Sequence, residues 1–224
     1  RWPWRRRIRR RTVRTPPRLE DLAPWLRIRV NALAVSHRAT NPGTALCLIW
    51  GHRSQTEQQA AHKAGRSKIN GKTKFSLHNF KPALAADLWV YTEAADDTFY
   101  ENRPPKDLGL ELQLLQKGSL KRWYIPMGHL AEMEGLEAGA LWRTFRDGPH
   151  VQVPKRQRIV MLQRALTDNG YDVGGVDGIL GAKTKKAIEG ARVESGIKAR
   201  AGGPMPIHPD LWEWLHLDGP RRVS

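Results

Sequence analysis

Apolar residues recur at helical spacing between positions 19 and 36, where Leu22, Trp25, Leu26, Val30 and Leu33 share one face. That period predicts a helix with Pro24 in an early turn, where a missing N–H costs little. Thr40-Asn41-Pro42-Gly43 marks a turn. Residues 45–50 are short, apolar and bounded, the pattern of a buried strand. Residues 56–64 read as a second helix that Gly65 stops. Residues 82–91 end in another strand-like run, and residues 107–117 return to helical spacing. His150-Val151-Gln152-Val153 alternates polar with apolar, as a half-buried strand does.

Pro154-Lys155-Arg156-Gln157-Arg158 reads as a short polar linker, and the pattern changes beyond it. Residues 159–169 are helical, with Ile159, Leu162 and Leu166 on one face. Residues 170–178 form a turn-rich loop, residues 184–193 a second helix, and residues 211–215 a third. The expected architecture is an α+β domain with a small antiparallel sheet over residues 19–153. A small all-α three-helix domain follows within 154–224, and residues 1–18 form a flexible basic tail.

Composition narrows the class. A chain of 224 residues holds one domain of ordinary size and a small one, and 40% apolar with 27% charged residues suits a soluble globular protein. No apolar run approaches the roughly 18 to 20 residues that cross a bilayer. The basic start is followed by no apolar stretch, so neither a signal peptide nor a transmembrane segment is expected. Cys47 is the sole cysteine, which excludes an intramolecular disulfide. It lies in an apolar run and reads as a buried structural thiol, since no activating neighbour is at hand.

The net charge of +16 predicts attraction to polyanions: nucleic acid, anionic lipid or an acidic cell wall. Residues 1–18 hold nine Arg and no acid. Self-repulsion and Pro argue against a packed element there. The segment reads either as a solvated arm or as a membrane-disturbing one, with Trp at the lipid interface and Arg on anionic headgroups. It resembles Trp/Arg-rich antimicrobial peptides. No base-reading module accompanies it, so no specific nucleic acid partner is expected.

The candidate chemistry is a split set of metal ligands. Ser76-Leu77-His78-Asn79 is followed by Ala86-Asp87-Leu88 and, some sixty residues later, by Asp147-Gly148-Pro149-His150. Two histidines and a carboxylate suit a catalytic zinc, because three protein ligands leave a fourth position for water. Asp147, three residues before His150, is placed to act as a general base. Glu132, Glu134 and Glu137 read as solvated charges, with Glu137 the weakest alternative base. His37, His52, His62 and His129 have no partners at ligand spacing.

Three blocks resemble the M15 family of zinc peptidases, which includes D-alanyl-D-alanine carboxypeptidases and phage L-alanyl-D-glutamate endopeptidases. They are Gly51-His52-Arg53-Ser54 with Gln58; Ser76-Leu77-His78-Asn79 with Ala85-Ala86-Asp87; and Gly135-Leu136-Glu137 leading to Trp142 and Asp147-Gly148-Pro149-His150. The resemblance implies His78, Asp87 and His150 as zinc ligands and Asp147 as catalytic base. Arg53 and Ser76 would line the substrate, and Arg suits a carboxylate through two parallel hydrogen bonds. Ser76 reads equally well as a turn cap, and Gln58 as structural. Two features depart from the family. The spacing from His78 to Asp87 is nine where seven is commoner, lengthened around Lys81-Pro82. Ala138-Gly139-Ala140 stands where Trp-Gly-Gly is frequent.

Leu162-Gln163, Gly170-Tyr171, Val176-Asp177-Gly178 with Gly181, and Thr184 with Ala187-Ile188 resemble a three-helix peptidoglycan-binding domain. Asp177 can bond amides of its own turn, so Asp177-Gly178 reads as structural and not as a calcium site. Together the resemblances imply a monomeric zinc metallopeptidase, a phage endolysin that hydrolyses the peptidoglycan stem peptide at L-Ala-D-Glu and lyses bacteria. It would be made in the host cytoplasm and act on the wall in the periplasm. The alternatives are a D,D- or L,D-carboxypeptidase of wall remodelling and a non-catalytic antimicrobial protein that binds the wall or permeabilises the membrane.

Overall fold

Pro24 opens helix α1 (Pro24–Thr40), whose buried residues Leu26, Val30, Leu33 and His37 repeat at helical spacing. Residues 17–65, 67–92, 120–197 and 203–217 are described in the computed structural model. The tail as far as residue 16 and the helix expected over 107–117 lie outside them. The expected turn after α1 leads into β1 (Thr44–Trp50), and helix α2 (Gln55–Lys63) follows. Ser54 caps α2 reciprocally with Glu57: its hydroxyl accepts from the Glu57 N–H at 3.2 Å, and its own N–H donates to the Glu57 carboxylate at 3.0 Å.

Strand β2 (Ala85–Thr92) is the hub of the sheet. It pairs antiparallel with β1, and a register shift between Leu48 and Trp50 brings Trp50 opposite Asp87. On its other edge it pairs with β4 (His150–Gln152), setting Asp87 opposite His150. Strand β3 (Glu137–Ala138) pairs antiparallel with β4, so the order is β1-β2-β4-β3. The small antiparallel sheet is as expected. Helix α3 (Ile125–Met133) packs on α1 and β3, and its Met127 and Ala131 join a core that includes Leu48, Leu88 and Val151.

The linker expected over residues 154–158 is not extended. Helix α4 (Lys155–Asp168) starts directly after Pro154, whose extended backbone suits a cap position. Arg158 is buried and its Nη1 donates to the Val153 carbonyl at 3.0 Å. Its long apolar stem lets it pack where a polar spacer was expected. Helices α5 (Ala182–Glu194) and α6 (Pro209–Leu217) pack with α4, as their periodicity indicates. Asp177 Oδ1 accepts from the Ile179 N–H at 2.8 Å and from Gln163 Nε2 at 3.0 Å, which makes Asp177 a structural residue of its turn. Gly178 sits at φ 77°, and a Cβ there would lie 2.5 Å from Arg156 Cγ.

Helix α6 also covers the lengthened loop between His78 and Asp87. Trp212 is fully buried, and its Nε1–H donates to the Pro82 carbonyl at 3.0 Å. Its ring meets Phe80 edge-on at 6.2 Å. From the other side, the Ala83 N–H donates to the Asp21 carbonyl at 2.7 Å and the Ala83 carbonyl accepts from the Ala23 N–H at 2.9 Å. The segment between His78 and Asp87 is therefore a packed loop. The Lys81–Glu213 ion pair above it is half exposed and contributes little.

Cys47 is buried, and burial pushes its thiol up to about 12, as befits an inert structural cysteine. His37 is buried as well. Thr44 Oγ1 donates to the Asn41 carbonyl at 2.7 Å, so it accepts from His37 Nε2 at 3.1 Å, and His37 Nδ1 has no partner. Burial lowers its imidazole to about 4. A depressed folded-state value means that the unfolded chain binds the proton first. Stability is therefore full above pH 6.5 and falls as the pH drops from 6.5 toward 4, by up to about 3 kcal/mol. Burial shifts His52, His208 and His216 the same way, so the comparison must be with a variant. Urea melts across that range should show a shallower acid loss for His37→Gln than for the parent, and equal slopes would remove His37 as a cause.

Candidate metal centre

Ser76 closes the turn Leu77–Asn79 that carries His78, the first candidate ligand: its Oγ accepts from the His78 N–H at 3.1 Å, and its N–H donates to Asn79 Oδ1 at 2.8 Å. This turn is stitched to the Gly51–Ser54 segment. The Arg53 N–H donates to the His78 carbonyl at 2.7 Å, and Asn79 Nδ2 to the Arg53 carbonyl at 2.8 Å. Ser76 is thus a cap, which is one of its two expected roles.

Asp87 lies on β2 and His150 opposite it on β4, where antiparallel pairing holds them together. His78 Nε2 is 3.2 Å from Asp87 Oδ1 and 3.3 Å from His150 Nδ1; His150 Nδ1 is 3.1 Å from Asp87 Oδ1. The spacing matches a metal's needs. Donors about 2.0–2.1 Å from a tetrahedral zinc stand roughly 3.3 Å from one another. His78, Asp87 and His150 form a candidate metal site among the described residues.

The proton positions fit too. His78 Nδ1 lies 2.7 Å from the Gly51 carbonyl, which can only accept, so Nδ1 carries the hydrogen and Nε2 turns a lone pair inward. His150 Nε2 lies 3.1 Å from Gln152 Oε1, while Gln152 Nε2 donates to Glu137 Oε2. Two lone pairs and a carboxylate oxygen converge on one point, an arrangement that asks for a cation.

Electrostatics tie the group together. Burial pushes the Asp87 carboxyl up, but His78 and His150, by charge and hydrogen bond, overcome it and hold it well below its ordinary value. Burial lowers His150, and the hydrogen bond and charge of Asp87, with Asp147, carry it above its ordinary value. A metal held here would therefore compete with protons. Arg53 Nη2 approaches Asp87 Oδ2 at 3.6 Å, and its guanidinium lies 4.5 Å from the Trp50 ring centre. Buried Gln58 accepts from Arg53 Nη1 at 3.1 Å and donates to Ser67 Oγ and the Ile69 carbonyl, both at 2.8 Å. Its structural reading holds.

Asp147 lies on the loop leading into β4, its N–H donating to the Gly139 carbonyl at 3.0 Å. A Cβ at Gly139 would lie 2.5 Å from the Asp147 carbonyl oxygen and 3.1 Å from the Cβ atoms of Asp147 and His150. Glycine is thus the residue that lets both approach. Burial raises the Asp147 carboxyl, the charge of Asp87 adds to this, and His150, His78 and Arg53 pull it back. The structure brings His78, Asp87, His150 and Arg53 together and sets Asp147 within electrostatic reach of all four. Sequence reasoning missed Gln152 and the contacts of Glu137 with Gln152 and Lys155. The alternation from His150 to Gln152 held the signal, since residues two apart share a strand face.

Residues 155–191 match a protein family described as "Putative peptidoglycan binding domain". The match spans α4, the Asp177 loop and most of α5. Among solved structures the chain is similar to the L-Ala D-Glu endopeptidase ChiX of Serratia marcescens, with 23% identity and a TM-score of 0.37, over 62% of this chain and 85% of that one.

Proposed function

We propose that the chain is a zinc-dependent peptidoglycan peptidase that cuts the stem peptide, at the L-Ala-D-Glu bond, while its C-terminal helices hold it on the wall. The reading includes a role as a monomeric endolysin, made in a host cytoplasm and lysing the cell from within. The observation that carries it is the triangle of His78 Nε2, Asp87 Oδ1 and His150 Nδ1 with both imidazole protons turned outward. The peptidoglycan-binding match supports the substrate class. Zinc held there would supply Lewis-acid activation of the attacking water and the scissile carbonyl.

The protein's own groups do the rest. Asp147 takes the proton of the attacking water and delivers it to the leaving amine. Arg53, set by Gln58 and Trp50, offers its guanidinium to a carboxylate of the acidic stem peptide. Ser76 fixes the His78 turn and keeps its own O–H for a substrate acceptor. Attachment through α4–α6 raises the local substrate concentration, so modest affinity suffices. The net charge of +16 adds salt-sensitive attraction to anionic wall and membrane surfaces.

Digestion of purified peptidoglycan with and without a chelator, followed by mass spectrometry, tests this reading. The expected result is chelator-sensitive release of fragments with a new amino terminus on D-Glu. Loss of only a terminal D-Ala would make the protein a carboxypeptidase. No cleavage with zinc supplied would overturn the enzyme reading.

A further inference from the structure

Glu137, on the two-residue strand β3, makes two contacts that join the candidate site to helix α4. Its Oε1 accepts from the Lys155 N–H at 3.2 Å, the first amide of that helix, and its Oε2 accepts from Gln152 Nε2. Gln152 in turn presents Oε1 to His150 Nε2 at 3.1 Å. Each contact has one permitted polarity. A carboxylate can only accept, so the Gln152 amide must turn its NH2 toward Glu137 and its oxygen toward His150. That oxygen can only accept, so His150 must carry its proton on Nε2. Nδ1 is then the atom left with a lone pair, and it is the atom facing Asp87 and His78.

We propose that Glu137 and Gln152 are positioning residues that lock His150 in its metal-binding tautomer. This inference rests on the metal-centre reading above. The lock is directional, and a single change should reverse it. In Glu137→Gln, the Lys155 N–H claims the new carbonyl oxygen, so the new NH2 faces Gln152. Gln152 must then turn its oxygen away from His150 and offer NH2 to Nε2. His150 becomes the acceptor at Nε2 and carries its proton on Nδ1, where a metal would have to displace it. The exchanged pair Glu137→Gln with Gln152→Glu restores the original direction. A carboxylate at 152 accepts from His150 Nε2, and the amide at 137 donates to that carboxylate while still accepting from Lys155.

The test measures zinc dissociation constants by competition with a chromogenic chelator. It also reads the imidazole nitrogens of 15N-histidine-labelled, zinc-loaded protein by NMR. The parent should bind zinc through Nδ1 of His150 with the proton on Nε2. Glu137→Gln should weaken zinc by about 10- to 100-fold, the usual effect of losing an outer-sphere partner. The exchanged pair should return to within a few-fold of the parent and recover its nitrogen shifts. If the single variant does not fold, Gln152→Met removes the same acceptor and should weaken zinc in the same way. Unchanged zinc affinity in Glu137→Gln, or no recovery in the exchanged pair, would overturn the lock. A parent that binds no zinc would instead overturn the metal-centre reading itself.

Discussion

Replacing Asp147 with Asn is expected to lower kcat by about 10²- to 10⁴-fold, the usual contribution of a general base, while zinc stays bound. Asn keeps the shape of the side chain and both backbone contacts of the loop, to the Gly139 carbonyl and from the His150 N–H. What it loses is the ability to take a proton. Burial and the charge of Asp87 raise the native carboxyl, which brings its affinity for a proton nearer to that of its working partners. Fragment release from purified peptidoglycan, measured beside zinc content, checks this. A kcat within tenfold of the parent would place the base elsewhere, and loss of zinc would make Asp147 a ligand. The same variant separates catalysis from permeabilisation, because a protein that kills by binding would keep its bactericidal activity.

Elements with a sustained period are the legible ones. Helices α1, α4 and α5 bury side chains at helical spacing that the chain already shows, while strands β1 and β2 are legible in another way, as short apolar runs. Helix α3 escapes the pattern, because Pro126 and Gly128 read as breakers within a span of nine residues. Proline in the first turn costs no hydrogen bond, and Gly128 lies close under Leu141, with a Cβ there only 3.0 Å from its Cγ. Strand β3 is invisible to periodicity, since two residues carry no alternation. The expected linker proves helical for a related reason: Lys155, Arg156, Gln157 and Arg158 look solvated, yet the first turn of an amphipathic helix is as polar as a loop.

In the site, residue type and order mark the candidate ligands, while the groups around them are hidden. With 8 His and 22 acids in the chain, a single such residue says little, and the three are informative through the blocks that surround them. An amide such as Gln152 belongs to no motif and gains its role only from what strand pairing sets beside it. Glu137 reads as a solvated charge because its neighbours in sequence are not its neighbours in space: Gln152 and Lys155 lie 15 and 18 residues away. The loop between His78 and Asp87 is packed from a still greater distance, by Trp212 of α6. Such long-range contacts lie beyond local periodicity.

Replacing Asp87 with Asn is expected to remove both zinc binding and peptide cleavage, and to do more than the outer-sphere variants do. Asp87 Oδ1 lies within 3.2 Å of both imidazoles, so its charge is common to two of the three contacts in the triangle. Without it, two neutral imidazoles hold a dication poorly. The metal-free protein should suffer as well. The Asp87 carboxyl is held well below its ordinary value, so its stabilising effect is present above the unfolded carboxylate value and is lost as pH falls through the folded one. At neutral pH the variant therefore forfeits that pairing, and Arg53 faces a neutral amide. Thermal melts with and without zinc distinguish the two losses. Zinc at 100 times its dissociation constant should stabilise the parent by about 2.7 kcal/mol. The variant should melt lower than the parent without metal and gain almost nothing when zinc is added. A variant that still gains as much from zinc as the parent would show that Asp87 is not a ligand and that the histidines bind metal with some other group.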